Sequence, residues 1–159
     1  MEKDQLKELV KQGLAAQKAG GEVAARATDE IENDASNPQL KQALQKGSET
    51  SKQWMQRIER AIKEAGGADE RDNPILEAHY QVSKRIREQA PSDQVRDLGI
   101  IAAGQLALHY WIASFGTVHA YAKRAGLSQA AQDMETCLNE AKQADEQHTQ
   151  LALQIMGNS

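Results

Sequence analysis

Residues 66–92 read GGADERDNPILEAHYQVSKRIREQAPS. A polar run closes at Asn73. Pro74 then opens a helical pattern through Leu76, Tyr80, Val82 and Ile86 to about Gln89, and Pro91-Ser92 breaks it again, so the stretch encodes one short helix between two interruptions. Outward from it, apolar residues recur at three- and four-residue spacing in both directions. Upstream, Pro38 to about Ala65 carries Leu40, Leu44, Ser51, Met55, Ile58 and Ile62, with Asn37 placed to cap its first turn and Gly66-Gly67 to stop its last. Before that, Asp4 to Asn33 carries Leu6, Val10, Leu14, Val23, Ala27 and Ile31, interrupted by Gly13, Gly20 and Gly21. A glycine costs up to about 1 kcal/mol relative to alanine in a helix, so the adjacent pair allows a kink or break there. Downstream, Ser92 or Asp93 begins a helix holding the densest apolar stretch, Leu98–Tyr121, in which Leu108, Trp111, Phe115 and Val118 form one core-facing stripe. Gly126 ends it. Ser128 is placed to cap a last helix with Met134, Leu138, Ala141, Asp145 and His148 along one face, continued nearby by Leu151 and Ile155.

The chain is thus all-α, with four long helices and a short one. Helices joined by short turns pack antiparallel, whereas a long connection carries the chain over one end so that the next helix runs parallel to its predecessor. Residues 66–92 are that crossover, and they give a single domain, 1–159, with the connectivity of a ferritin-like four-helix bundle. Composition agrees: 159 residues suit one core, and 4% aromatic content with abundant Ala, Gln, Glu, Lys and Leu leaves little material for a sheet. A net charge of −4 without a Lys/Arg block offers no footprint for nucleic acid. The N-terminus MEKDQLKELV lacks the apolar core of a signal peptide, and no apolar run approaches the roughly 18 residues of a span, so a soluble, cytoplasmic chain without membrane contact is expected. The single cysteine, Cys137, excludes an internal disulfide and a thiolate metal site. With no nearby cation or helix N-terminus legible in sequence, it reads as packing.

Val95-Arg96-Asp97, then Ile100–Gln105 (IIAAGQ), His109-Tyr110 and Ile112–Thr117 (IASFGT), resemble the third bundle helix of the YciE/YciF-type ferritin-like proteins. Leu138, Glu140, Lys142 and Asp145 match that family's last helix, and Asn37–Lys41, Glu49 and Arg57-Ile58-Glu59 its second. The likeness spans about residues 37–156 and is weak over the first helix. It implies a ferritin-like bundle, usually dimeric, from a family linked to bacterial stress responses and often carrying a two-metal carboxylate site of iron or manganese. Such a pair needs bridging and terminal carboxylates from several helices plus a histidine or similar ligand, because hard cations take oxygen donors that compensate their charge. Carried over residue by residue, most of that set is missing. The family's glutamates flanking the His-Tyr pair are Leu108 and Trp111 here, and its Glu-Thr step followed by His or Gln falls at Thr50, Ser51 and Trp54. Its first-helix glutamate falls among Gly13, Leu14, Ala15 and Ala16. Glu49, Glu140, Asp145 and His148 remain as candidate ligands.

Two tryptophans and a leucine in place of ligands bury apolar volume where a metal pair needs polar space, at about 1.5–3 kcal/mol per side chain, so the site reads as filled in. Asp145 and His148, at i and i+3, have the spacing to present a carboxylate and an imidazole to one metal, or to make a hydrogen bond at the core rim. The adjacent rings of His79-Tyr80 and of His109-Tyr110 point about 100° apart and are not expected to pair in space. His109 has no nucleophile at readable spacing and reads as a bundle histidine. The Gln- and Lys-rich run Lys41–Gln56 reads as a solvated face. No phosphate loop and no Ser/His/Asp order is present. Three functions stay open: a noncatalytic, cofactor-free dimeric structural or interaction protein; a di-iron or di-manganese oxidoreductase using Glu49, Glu140, Asp145 and His148; and a binder of a small apolar or aromatic ligand between Trp54, Trp111 and Phe115.

Overall fold

In the computed structural model, which describes residues 2–157, Asn37 accepts hydrogen bonds from the Gln39 and Leu40 amides and Pro38 takes the first helical position. The chain therefore turns sharply between α1 (Lys3–Asp34) and α2 (Pro38–Glu64). Gly66 and Gly67, at φ of 86° and 103°, stop α2. Asn73 and Ser92 cap α3 (Pro74–Gln89) and α4 (Asp93–Ala125) through bonds from Leu76 and Val95, and left-handed Gly126, at φ of 83°, leads into α5 (Ser128–Met156). Ser128 does not cap α5. Its place as acceptor is taken by the Glu64 carboxylate at the end of α2, which accepts from the Gln129 and Ala130 amides. An acidic group from a neighbouring helix satisfies the orphan N–H groups and the helix dipole together.

Cross-helix bonds fix the topology. Gln17 Nε2 donates to Ser114 Oγ, and both carboxylate oxygens of buried Asp97 accept from the Ser36 and Asn37 amides, so α4 runs antiparallel to α1. Arg60 pairs with Asp133, and Arg57 with Glu140, so α5 runs antiparallel to α2. α2 and α4 consequently run parallel, as the crossover requires in a ferritin-like bundle. Helix α3 lies outside the four-helix ring against α1 and α4, tied to α1 by buried Arg87, which bonds Glu30, Asp34 and its own neighbour Ser83.

Two further expectations fail here. α1 is unbroken through Gly20-Gly21. Both glycines are buried, and a Cβ at Gly20 would lie 2.8 Å from Asn73 Nδ2 and from Leu76 Cδ1, while one at Gly21 would meet the Met55 sulfur. They are there for close approach, and the packing they permit outweighs their helix penalty. Secondly, α4 is long and apolar enough by length and composition to cross a membrane, against the expectation that no such run exists. The physical reason is twofold: α1, α3 and α5 all pack on it, and apolar residues such as Leu106 also stand on the side those helices leave exposed.

The core is divided along the bundle. One cluster gathers Val10, Leu14, Ile58, Phe115, Met134 and Cys137 around Trp54 and Trp111; a second gathers Leu40, Ile100, Ile101 and Leu151 at the end where α1 turns into α2. Between them the helices enclose a cavity.

Candidate functional site

Small residues keep that cavity open. Ala43, Ala103, Gly104, Ala107 and Ala144 contribute almost no side-chain volume to its wall, and about 370 Å³ remains, within the roughly 300–1,000 Å³ range of small-molecule sites. Trp54, Trp111 and Leu108 close one end, and Ile31, Leu44, Ile100 and Leu151 the other. Polar groups enter from α1 (Thr28), α2 (Thr50, Ser51), α3 (His79, Tyr80) and α5 (Glu140, His148). Lys46 and Gly47 on α2 and Gln143 and Gln147 on α5 also line it, and all four are exposed. Part of the run expected to be a solvated face is therefore a mouth.

The aromatic end is packed tightly. Trp111 stacks on Phe115 with centroids 5.1 Å apart and planes 25° from parallel, and Trp54 meets Phe115 edge-on at 5.1 Å and Trp111 at 5.8 Å. No ligand space lies between the three rings, contrary to the sequence expectation. The space lies beside the two tryptophans, and Phe115 does not reach it. Thr50, Trp54, Leu108 and Trp111 all line this same cavity.

The candidate ligands separate. Glu49 is exposed and off the cavity wall. Asp145 turns outward to α4, where it pairs with exposed His109 Nε2 at 3.0 Å. His148 stays on the wall: its Nδ1 meets the Ala144 carbonyl at 2.7 Å and its ring lies over Gly104. Asp145 and His148 do not converge, because the i,i+3 step places one at the α4–α5 surface and the other inside. Glu140 is on the wall, but one of its oxygens already accepts from Trp54 Nε1 and Arg57 Nη1, both at 2.8 Å. Burial works against the Arg57 charge, yet its bonds to Glu140 and Cys137 carry the guanidinium above its usual value. The residues of α1 on the wall are Ala24, Thr28 and Ile31; Gly13 lies nearer the other end, against Val118, so the implied first-helix position is not at Gly13–Ala16.

Sequence reasoning missed three further residues. Arg57 is the cation near Cys137, 4.0 Å from its sulfur, although burial dominates and pushes the thiol up to about 12. His79 and Tyr80 do pair, edge to face at 5.1 Å, because their rings bend toward one another at the cavity wall; Tyr110 instead packs on Trp111 at 5.5 Å. Desolvation lowers the His79 pKa and pushes Tyr80 up to about 12, so both are neutral near pH 7.

The family model for a domain of unknown function, DUF892, matches residues 5–159. The chain belongs to the DUF892 family. Protein YciF of Escherichia coli strain K12 is 30% identical over 130 residues, covering 80% of this chain and 78% of that protein. The crystal structure of the E. coli stress protein YciF superposes with a TM-score of 0.91 at 24% identity, covering 97% of this chain and 98% of that one. YcfI from Rhodopseudomonas palustris, for which a structural role has been proposed, gives 0.86 at 23% identity, covering 91% and 92%. The DUF892 chain is thus of the YciE/YciF type. The two-metal site implied by its resemblance does not fit its residues. Among the described residues no group of three or more His, Cys, Asp or Glu is placed to hold a metal. The carboxylate on the cavity wall, Glu140, is matched by a guanidinium and an indole N–H that would compete with any cation for it.

Proposed function

We propose that the chain works without a metal and without turnover, as a dimeric structural or interaction module of the bacterial stress response in the cytoplasm. The observation that carries this is the engagement of Glu140 by Trp54 and Arg57, with Leu108 and Trp111 beside it. A site that must accept a dication cannot profitably hold a fixed guanidinium on its acidic ligand, since the ion would have to displace a short charge-assisted bond. The alternative oxidoreductase would need Glu49 and Asp145 to leave an exposed face and a His109 partner respectively, so the geometry favours the metal-free reading. The descriptions of the relatives, one a stress protein and the other with a proposed structural role, support it.

The dimer has a face to use. Val95, Ala102, Leu106, Ala113 and Ala120 are exposed along α4 at spacings that keep them on one side, and Ile75, Val82 and Ile86 are exposed on α3 beside it. Exposed His109 and Thr117 interrupt this face, but a monomer rarely leaves this much aliphatic surface on one side in water, and a self-complementary pairing would cover it. Light scattering is expected to give twice the 17.5 kDa chain mass, and Leu106→Lys, at a side chain 66% exposed, to shift it to the monomer. A parent that stays monomeric at micromolar concentration would overturn the dimer.

A further inference from the structure

We propose that the cavity between the two core clusters binds a small neutral aromatic molecule carrying one hydrogen-bond donor, of the phenol or indole class. Its walls specify that chemistry. Two indoles at one end and aliphatic side chains at the other form a slot whose surfaces gain from contact with a flat apolar body, through offset or edge-on ring packing. Water filling the same volume would face few polar partners at either end.

The polar groups set the handle. A carbonyl only accepts, so the bond from His148 Nδ1 to the Ala144 oxygen fixes the proton on Nδ1 and leaves Nε2 of the neutral ring as an acceptor. Thr28 spends its proton on the Ala24 carbonyl and so adds no donor to the wall. The hydroxyls of Thr50, Ser51 and Tyr80 can donate or accept, whereas His148 Nε2 in that tautomer can only accept, and a ligand hydroxyl or ring N–H answers it. Charge argues for neutrality. The Glu140 charge is balanced by Arg57, removing the attraction for an ammonium group, and the cation on the wall, Lys46, is exposed at the mouth, where water and salt screen it from a bound anion.

This ligand site does not depend on the dimer, and its failure would leave that reading untouched. The chain contains two tryptophans, Trp54 and Trp111, and both line the cavity, so their fluorescence reports occupancy directly. p-Cresol, toluene, benzoate and benzylamine are titrated into the parent, Thr28→Met and His148→Phe by calorimetry and tryptophan fluorescence. Sub-millimolar 1:1 binding of p-cresol is expected, about 5-fold tighter than toluene for one net hydrogen bond. Thr28→Met, which puts a longer side chain into the space, should weaken both neutral probes. His148→Phe should abolish the preference for p-cresol while toluene still binds. The proposal is overturned by tighter binding of benzoate or benzylamine, by no change in tryptophan emission with any probe, or by Thr28→Met binding like the parent. If Thr28→Met does not fold, retention of the p-cresol preference in His148→Phe is enough to overturn it.

Discussion

Replacing Trp111 by glutamate restores, at one position, the residue type that the family resemblance implies, and the structure determines what should follow. Trp111 is 5% exposed and packs on Trp54, Phe115 and Tyr110, so its removal forfeits about 3–5 kcal/mol, the usual range for Trp→Ala in a core. Two glutamate methylenes return roughly 1.5 kcal/mol. The new carboxyl then sits among rings, with the nearby guanidinium of Arg57 already bound to Glu140, and keeping it protonated at pH 7 costs up to about 3.7 kcal/mol relative to a free glutamic acid. The net loss is about 2–7 kcal/mol. For a chain of this size that is a fall of roughly 5–25 °C in Tm. The sign with pH is diagnostic: burial raises the folded pKa of the new acid, so its stability is kept below the unfolded value near 4.3 and lost as pH rises through the folded one. The gap between Trp111→Glu and the uncharged Trp111→Leu should therefore be wide at pH 7.5 and close toward pH 4.5. Thermal melts of these variants and of Trp111→Phe, with and without ferrous iron, test this. A glutamate variant melting within a few degrees of the parent, or one stabilised by iron, would refute the reasoning.

Gly20→Ala and Gly47→Ala should move stability in opposite directions. At Gly20 the new Cβ lies 2.8 Å from Asn73 Nδ2, which is itself held by the Ala16 carbonyl and the Tyr110 hydroxyl, so a loss of roughly 1–3 kcal/mol in chemical denaturation is expected. At Gly47 nothing lies within 4 Å, and the better helix former should add about 1 kcal/mol; equal effects at both sites would contradict the close-approach account. Alkaline pH should destabilise the parent. The buried Cys137 thiol, pushed up to about 12, stays protonated in the fold while the unfolded chain ionises from about pH 9, at up to about 1.4 kcal/mol per pH unit, so stability falls as pH rises. Cys137→Ala should flatten the slope between pH 9 and 10, and an unchanged slope would count against the burial of that thiol.

The architecture was legible because its punctuation is strong. Asn37-Pro38, Gly66-Gly67, Pro74, Ser92 and Gly126 each fix a helix end by a local mechanism, and the long crossover then permits one connectivity. The paired glycines of α1 misled because propensity is local, whereas their justification is the approach of Asn73, Leu76 and Met55 from other helices. Ser128 failed for the same reason, its capping role being supplied by Glu64 from α2. In the site, the apolar side chains Trp54, Leu108 and Trp111 are legible in the sequence, but the space beside them is not. A cavity depends on how small residues such as Ala103, Gly104, Ala107 and Ala144 face one another across the bundle, and periodicity records that they point inward without recording what they leave unfilled. The Arg57–Glu140–Trp54 link was equally hidden. Its partners are 83 and 86 residues apart in sequence, and no local signal pairs them.

With its Glu140 carboxylate matched by Arg57 beside an apolar cavity, the chain is proposed to hold no metal pair. Elemental analysis of protein purified without chelator, from cells supplied with iron and manganese, tests it most directly when read on the species sized by light scattering. The account predicts well under one equivalent of iron, manganese or zinc per chain, unchanged in Glu140→Ala. Two equivalents per chain, lost together on Glu140→Ala, would contradict it.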